Sequence, residues 1–100
     1  MSDFQLFSII INKSIKDDAV DIVLNSNIIT GFTMSQVFGY SRKHAKYDIR
    51  EQVEGYKNFY RLDIIHKTHE LDELLTAFKQ LDSQFKLKYW VSPISDFGEI

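Results

Sequence analysis

Thr68-His69-Glu70-Leu71-Asp72-Glu73-Leu74-Leu75-Thr76-Ala77-Phe78-Lys79-Gln80-Leu81-Asp82-Ser83-Gln84-Phe85 carries the pattern on which the fold turns. Leu71, Leu74, Leu75, Phe78, Leu81 and Phe85 recur three or four apart, which lays an apolar stripe along one side of a helix. Thr68 is placed to cap its start. Before it, residues 56–65 alternate, with Tyr60, Leu62 and Ile64 on one side and Phe59, Arg61, Asp63 and Ile65 on the other. After it, residues 86–94 set Leu87, Tyr89 and Val91 opposite Lys88, Trp90 and Ser92, and Pro93 marks a sheet edge or an end. The second half therefore reads strand, helix, strand.

The first half repeats that order. Residues 4–11, Phe-Gln-Leu-Phe-Ser-Ile-Ile-Ile, are rich in aromatic and β-branched residues, as in an interior strand covered on both faces. The polar turn Asn12-Lys13-Ser14 ends it. A short amphipathic helix from Ser14 or Lys16 to Ser26 follows, with Ala19, Val20, Val23 and Leu24 at helical spacing and Asp17, Asp18 and Asp21 near its start, where the helix dipole favours negative charge. Gly31 opens a second strand over residues 32–38, and Gly39 breaks it. The order β-α-β-β-α-β predicts an α+β, ferredoxin-like sandwich, a four-stranded antiparallel sheet with two helices on one face. Two assignments of the faces are open. Either Leu6, Ile10, Leu62, Ile64, Leu87, Tyr89 and Val91 turn inward, leaving Phe7, Ile9, Ile11, Phe59, Ile65 and Trp90 on the helix-free face, or the complement does. In both cases the helix-free face is expected to be apolar enough to be buried in a homo-oligomer.

One hundred residues suffice for a single domain spanning 1–100, and 44% apolar with 26% charged residues is the balance of a folded globule. The absence of cysteine removes disulfides, thiolate metal sites and a thiol nucleophile, and fits a reducing compartment. No spanning helix and no secretory leader is expected, so the reading is a cytoplasmic protein without membrane insertion. A net charge of −2 argues against nucleic acid as a general partner. The charge is uneven, however. Between Tyr40 and Arg61, six bases (Arg42, Lys43, Lys46, Arg50, Lys57 and Arg61) face three acids (Asp48, Glu51 and Glu54). Such a basic island suits a phosphate, a small anion or an acidic partner surface, although a merely solvated loop has the same composition.

For catalysis the inventory is thin. No serine stands in a nucleophile-elbow pattern, and Asp17, Asp18, Asp21, Asp72 and Glu73 are explained as helix-start charges. No enzyme, no catalytic residue and no cofactor is expected. His44, His66 and His69 are the possible metal ligands, and His66-x-x-His69 could chelate a divalent ion if Glu70, Glu73 or a neighbouring subunit supplied a third donor. Turn histidines with ordinary hydrogen bonds are commoner, and no metal residue is assigned. A glycine-rich phosphate cradle is missing. Gly55-Tyr56-Lys57-Asn58-Phe59-Tyr60 is faintly like the aromatic strand of an RNA-recognition motif, but the first strand lacks the matching aromatics.

Residues 40–54 show no sustained period, and a loop of that length in a compact domain is usually functional. Tyr40, Arg42, Lys43, His44, Lys46, Tyr47 and Arg50 are accordingly the candidate residues for a ligand or a partner.

The stretch Gly31-Phe32-Thr33-Met34-Ser35-Gln36-Val37-Phe38-Gly39-Tyr40-Ser41-Arg42 resembles the strand leading into the long T-loop of PII-type nitrogen-regulatory signalling proteins. Gly31, Thr33, Ser35, Val37, Gly39, Tyr40 and Arg42 agree with that pattern, whereas Gln36, Phe38 and Ser41 depart from it. The ending Tyr89-Trp90-Val91-Ser92-Pro93-Ile94-Ser95-Asp96-Phe97-Gly98 resembles a small uncharacterised PII-like family whose genes tend to lie beside those for heavy-metal efflux pumps. The resemblance implies a homotrimer with inward-facing sheets. It also implies a cleft between subunits for a small-molecule, anion or metal effector, and a 40–54 loop that reaches a partner such as a membrane transporter. Two departures bear on the ligand. Leu81-Asp82-Ser83-Gln84-Phe85-Lys86 lacks the glycines with which PII proteins hold ATP, and the modifiable tyrosine motif is missing although Tyr47 lies in the loop. A divalent-metal-binding trimer of the cation-tolerance type is the alternative.

Overall fold

The computed structural model describes residues 3–39, 59–81 and 86–100. Strand β1 spans Phe4–Asn12, a 3-10 turn Lys13–Ile15 leads into helix α1, Lys16–Leu24, and β2 spans Thr33–Val37. Strand β3, Phe59–Lys67, passes through a 3-10 turn, Thr68–Glu70, into helix α2, Leu71–Phe78, and β4 spans Tyr89–Pro93. The four strands form one sheet in the order β2-β3-β1-β4, every neighbour antiparallel. This is the expected ferredoxin-like α+β arrangement.

Register settles the faces. Phe7 pairs with Ile64 and Val91, Ile9 with Leu62 and Tyr89, and Ile11 with Tyr60. Phe7, Ile9, Ile11, Leu62 and Ile64 are buried with Ala19 and Val23 of α1 and Leu74 and Phe78 of α2. The Phe7 ring stacks on Phe78 at 5.4 Å, which identifies this as the helix-bearing side. Neither alternative from the alternation survives whole. Leu62, Ile64, Tyr89 and Val91 do turn inward, but Phe7, Ile9 and Ile11 join them, while Leu6 and Ile10 take the other face with Phe59, Ile65 and Trp90. A strand apolar on both sides carries no face preference of its own, so its partners decide.

Element ends differ from expectation in ways the backbone explains. The helix expected to run to Phe85 ends as regular α-helix at Phe78, where Gln80 and Leu81 N–H donate to the carbonyls of Ala77 and Phe78 in a tighter turn. Residues 82–85 lie outside the described residues. Thr68 does not cap the helix. Its N–H and hydroxyl both donate to the Asp3 carbonyl, at 2.8 and 3.0 Å. The Glu70 carboxylate instead accepts the Lys67 N–H at 2.8 Å, half of a capping box. The final strand starts at Tyr89 and not at residue 86, although Ile10 N–H still reaches the Lys88 carbonyl.

Candidate functional site

All seven loop candidates, Tyr40, Arg42, Lys43, His44, Lys46, Tyr47 and Arg50, lie outside the described residues. The strands on either side of that segment are described. Val37 and Phe59, the last residue of β2 and the first of β3, are register partners.

On the helix-free face, alternation along the described strands orders the side chains into transverse rows. One row crosses all four strands as Thr33, Asp63, Ser8 and Trp90. On one side of it lie Ser35, Arg61 and Ile10, and on the other Ile65, Leu6 and Ser92. The face is thus less uniformly apolar than expected. Trp90 is 43% and Ile65 37% exposed, but the centre is polar.

That centre is a connected trio. Ser8, on an interior strand and 1% exposed, donates its hydroxyl proton to Asp63 Oδ1 at 2.6 Å. Asp63 Oδ2 accepts from Arg61 Nε at 3.1 Å, the side chains being 17% and 44% exposed respectively. Both carboxylate oxygens are therefore held, one by a buried hydroxyl and one by the guanidinium of the adjacent row, and the pair leaves the middle of the face without net charge. Sequence reading passed over these residues as a group. The signal was present: Ser8 interrupts an apolar strand, and Arg61-x-Asp63 puts both charges on one side of another.

The two described histidines are not brought together as ligands. His66 is 2% exposed on the helix-bearing face, edge-on to Phe7, and its Nδ1 donates to the Lys67 carbonyl at 2.8 Å. His69 is exposed in the 3-10 turn. His66 Nε2 and Gln5 Oε1, on residues that pair across β1 and β3, have no hydrogen-bond partner among the described residues. Among those residues no three His, Cys, Asp or Glu side chains gather where they could hold a metal. Asp21, Asp72 and Glu73 line an open groove of about 550 Å³ between α1 and α2, with Asp72 and Glu73 in the first turn of their helix. That position accounts for them electrostatically. No described helix is long and apolar enough to cross a membrane.

Comparison with solved structures extends the match from pattern to geometry. CPII, a nitrogen-regulatory PII-like protein from Thiomonas intermedia K12 bound to ADP, AMP and bicarbonate, superposes with a TM-score of 0.65 at 15% identity over 89% of each chain. A PII-like signalling protein from Thermus thermophilus gives 0.61 at 17% identity, over 91% of this chain and 89% of its own. At those identities the likeness is one of fold. A DUF3240 family protein from Shewanella baltica is 31% identical, with a TM-score of 0.82 over 100% of this chain and 99% of its own. No curated protein matches the chain. The family model described as "protein of unknown function (DUF3240)" matches residues 1–100, and with the Shewanella structure it establishes that the chain belongs to the DUF3240 family, on a fold shared with PII-like proteins.

Proposed function

We propose that this protein is a cytoplasmic PII-like regulator and not an enzyme. It assembles as a homotrimer through the helix-free sheet face, takes a small ligand in the cleft between subunits, and engages a partner protein through residues 40–54. The observation that carries the reading is the helix-free face itself. Trp90 and Ile65 stand exposed there around a self-neutralised centre, on a fold shared with CPII, which binds ADP, AMP and bicarbonate. Arg42, Lys43, Lys46 and Arg50 supply the positive charge that a phosphate or bicarbonate needs. A metal-efflux transporter fits as the partner through the resemblance of residues 89–98.

Light scattering over a concentration series, followed by calorimetric titration with ADP, AMP, bicarbonate, Zn²⁺ and Cu²⁺, tests it. The expected result is a trimer that binds a nucleotide or bicarbonate, with the signal lost in Arg42→Ala. A single subunit at every concentration overturns the assembly. Metal binding abolished by His66→Ala or His69→Ala, with no anion signal, overturns the regulator in favour of direct chelation. Capture of partners from lysate with and without residues 40–54 tests the loop, and an unchanged partner list removes it from the mechanism.

A further inference from the structure

Resting on the self-assembly reading above, we infer that the Ser8–Asp63–Arg61 trio is the polar key of the interface between copies, setting which register the sheets adopt against one another. Ser8 and Asp63 form its fixed half. Both Asp63 oxygens are engaged within the chain, and the Ser8 hydroxyl that orients one of them is closed off from solvent. Arg61 is the half with capacity to spare. A guanidinium has five N–H donors, and only Nε is used on Asp63 among the described residues. At 44% exposure its two terminal nitrogens are available to a neighbour.

A second copy of this chain is the occupant that the chemistry fits. The centre of the face is neutral, because one carboxylate and one guanidinium cancel, so identical faces meet without repulsion and a strongly charged partner finds no counter-charge. Around the pair stand hydroxyls of Thr33 and Ser35, each able to donate and accept, and a carboxylate oxygen that takes one hydrogen bond has a further lone pair to offer. The surplus donors of Arg61 in one copy therefore meet surplus acceptors in the next. Trp90, opposite Ser8 in the same row on the edge strand β4, adds a large rigid apolar anchor beside the polar centre.

The energetic consequence is specificity more than strength. The pair within each chain stays intact in any register and offers little net stabilisation over apolar residues of the same size, but a wrong register buries the surplus Arg61 donors without acceptors, which penalises it. Four variants test this by sedimentation over a concentration series, with emission of Trp90, the one tryptophan of the chain, reporting burial of the face and far-ultraviolet circular dichroism reporting the fold. Arg61→Gln and Asp63→Asn are expected to weaken assembly on the order of a hundredfold. Thr33→Glu, at the end of the row and outside the trio, adds an uncompensated charge and should do the same. The pair Arg61→Leu with Asp63→Leu should still associate, but into several stoichiometries. If wild type assembles and Arg61→Gln and Thr33→Glu assemble equally well, or if the double leucine variant keeps one stoichiometry, the key is overturned while the assembly stands. If wild type never assembles, the assembly falls and the key with it. Should Asp63→Asn fail to fold, Arg61→Gln and Thr33→Glu decide alone.

Discussion

Ser8 and Asp63 face each other across the central strand pair, and the 2.6 Å hydrogen bond between them buries a serine in a strand whose other interior positions are mostly apolar. Hydrogen bonds to charged acceptors contribute more than neutral ones, about 1.5–3 kcal/mol. Ser8→Ala is therefore expected to lower stability by about 2 kcal/mol, read from urea midpoints with an unchanged slope. A change below about 0.5 kcal/mol, the range of an indifferent surface substitution, would show that the bond is not held in solution.

Phe7 joins the sheet to the second helix through its ring, stacking at 5.4 Å on Phe78 and at 5.6 Å on Tyr89. Phe7→Ala is expected to cost about 4 kcal/mol, within the range for emptying an aromatic site. Leu24→Ala, at a position 69% exposed on α1, should stay within about 0.5 kcal/mol. Comparable losses in the two would contradict the assignment of the strand's faces.

His66 and His69 separate by environment, one buried beside Phe7 and one in water. His66→Ala should destabilise by about 2 kcal/mol through its lost hydrogen bond and packing, and His69→Ala by less than about 0.5 kcal/mol. Thermal melts with and without Zn²⁺ check this. A zinc-dependent stabilisation removed equally by both substitutions would show that the two rings act on one ion.

Gly31 precedes β2 without a positive φ, and a Cβ built there meets nothing within 4 Å. Gly31→Ala should raise stability by about 0.4–1 kcal/mol by narrowing the unfolded ensemble. A lowered melting temperature would mean that the position needs glycine in an assembled or ligand-bound state.

The order of elements and the antiparallel sheet were legible because Leu74 and Phe78 repeat at helical spacing while Leu62 and Ile64 alternate, and those two periods cannot be confused over such lengths. The face of β1 was not legible. Leu6 and Ile10 are as apolar as Phe7, Ile9 and Ile11, and only the partners Ile64 and Leu62 separate them. The helix-free trio was hidden for a related reason. Ser8 and Asp63 lie 55 positions apart, and only the register of two strands makes them neighbours. Thr68 shows the same limit locally, since its preference for Asp3 over the helix start depends on where the chain's first strand lies. Residues 40–54, singled out by lack of period, fall outside the described residues.

The contact between Ile94 N–H and the Phe4 carbonyl at 3.2 Å places the exit of β4 beside the entrance of β1, and the two strands run antiparallel. A tight hairpin loop can bridge strands so arranged. A chain designed to run from β4 into β1 through such a loop, and opened instead between α1 and β2, where the connection is exposed around Asn27 and Thr30, is expected to keep every strand beside its neighbours. Such a rewired chain would offer fresh attachment points for dyes or fusion domains next to β2, at the sheet edge farthest from the strand that bears Trp90.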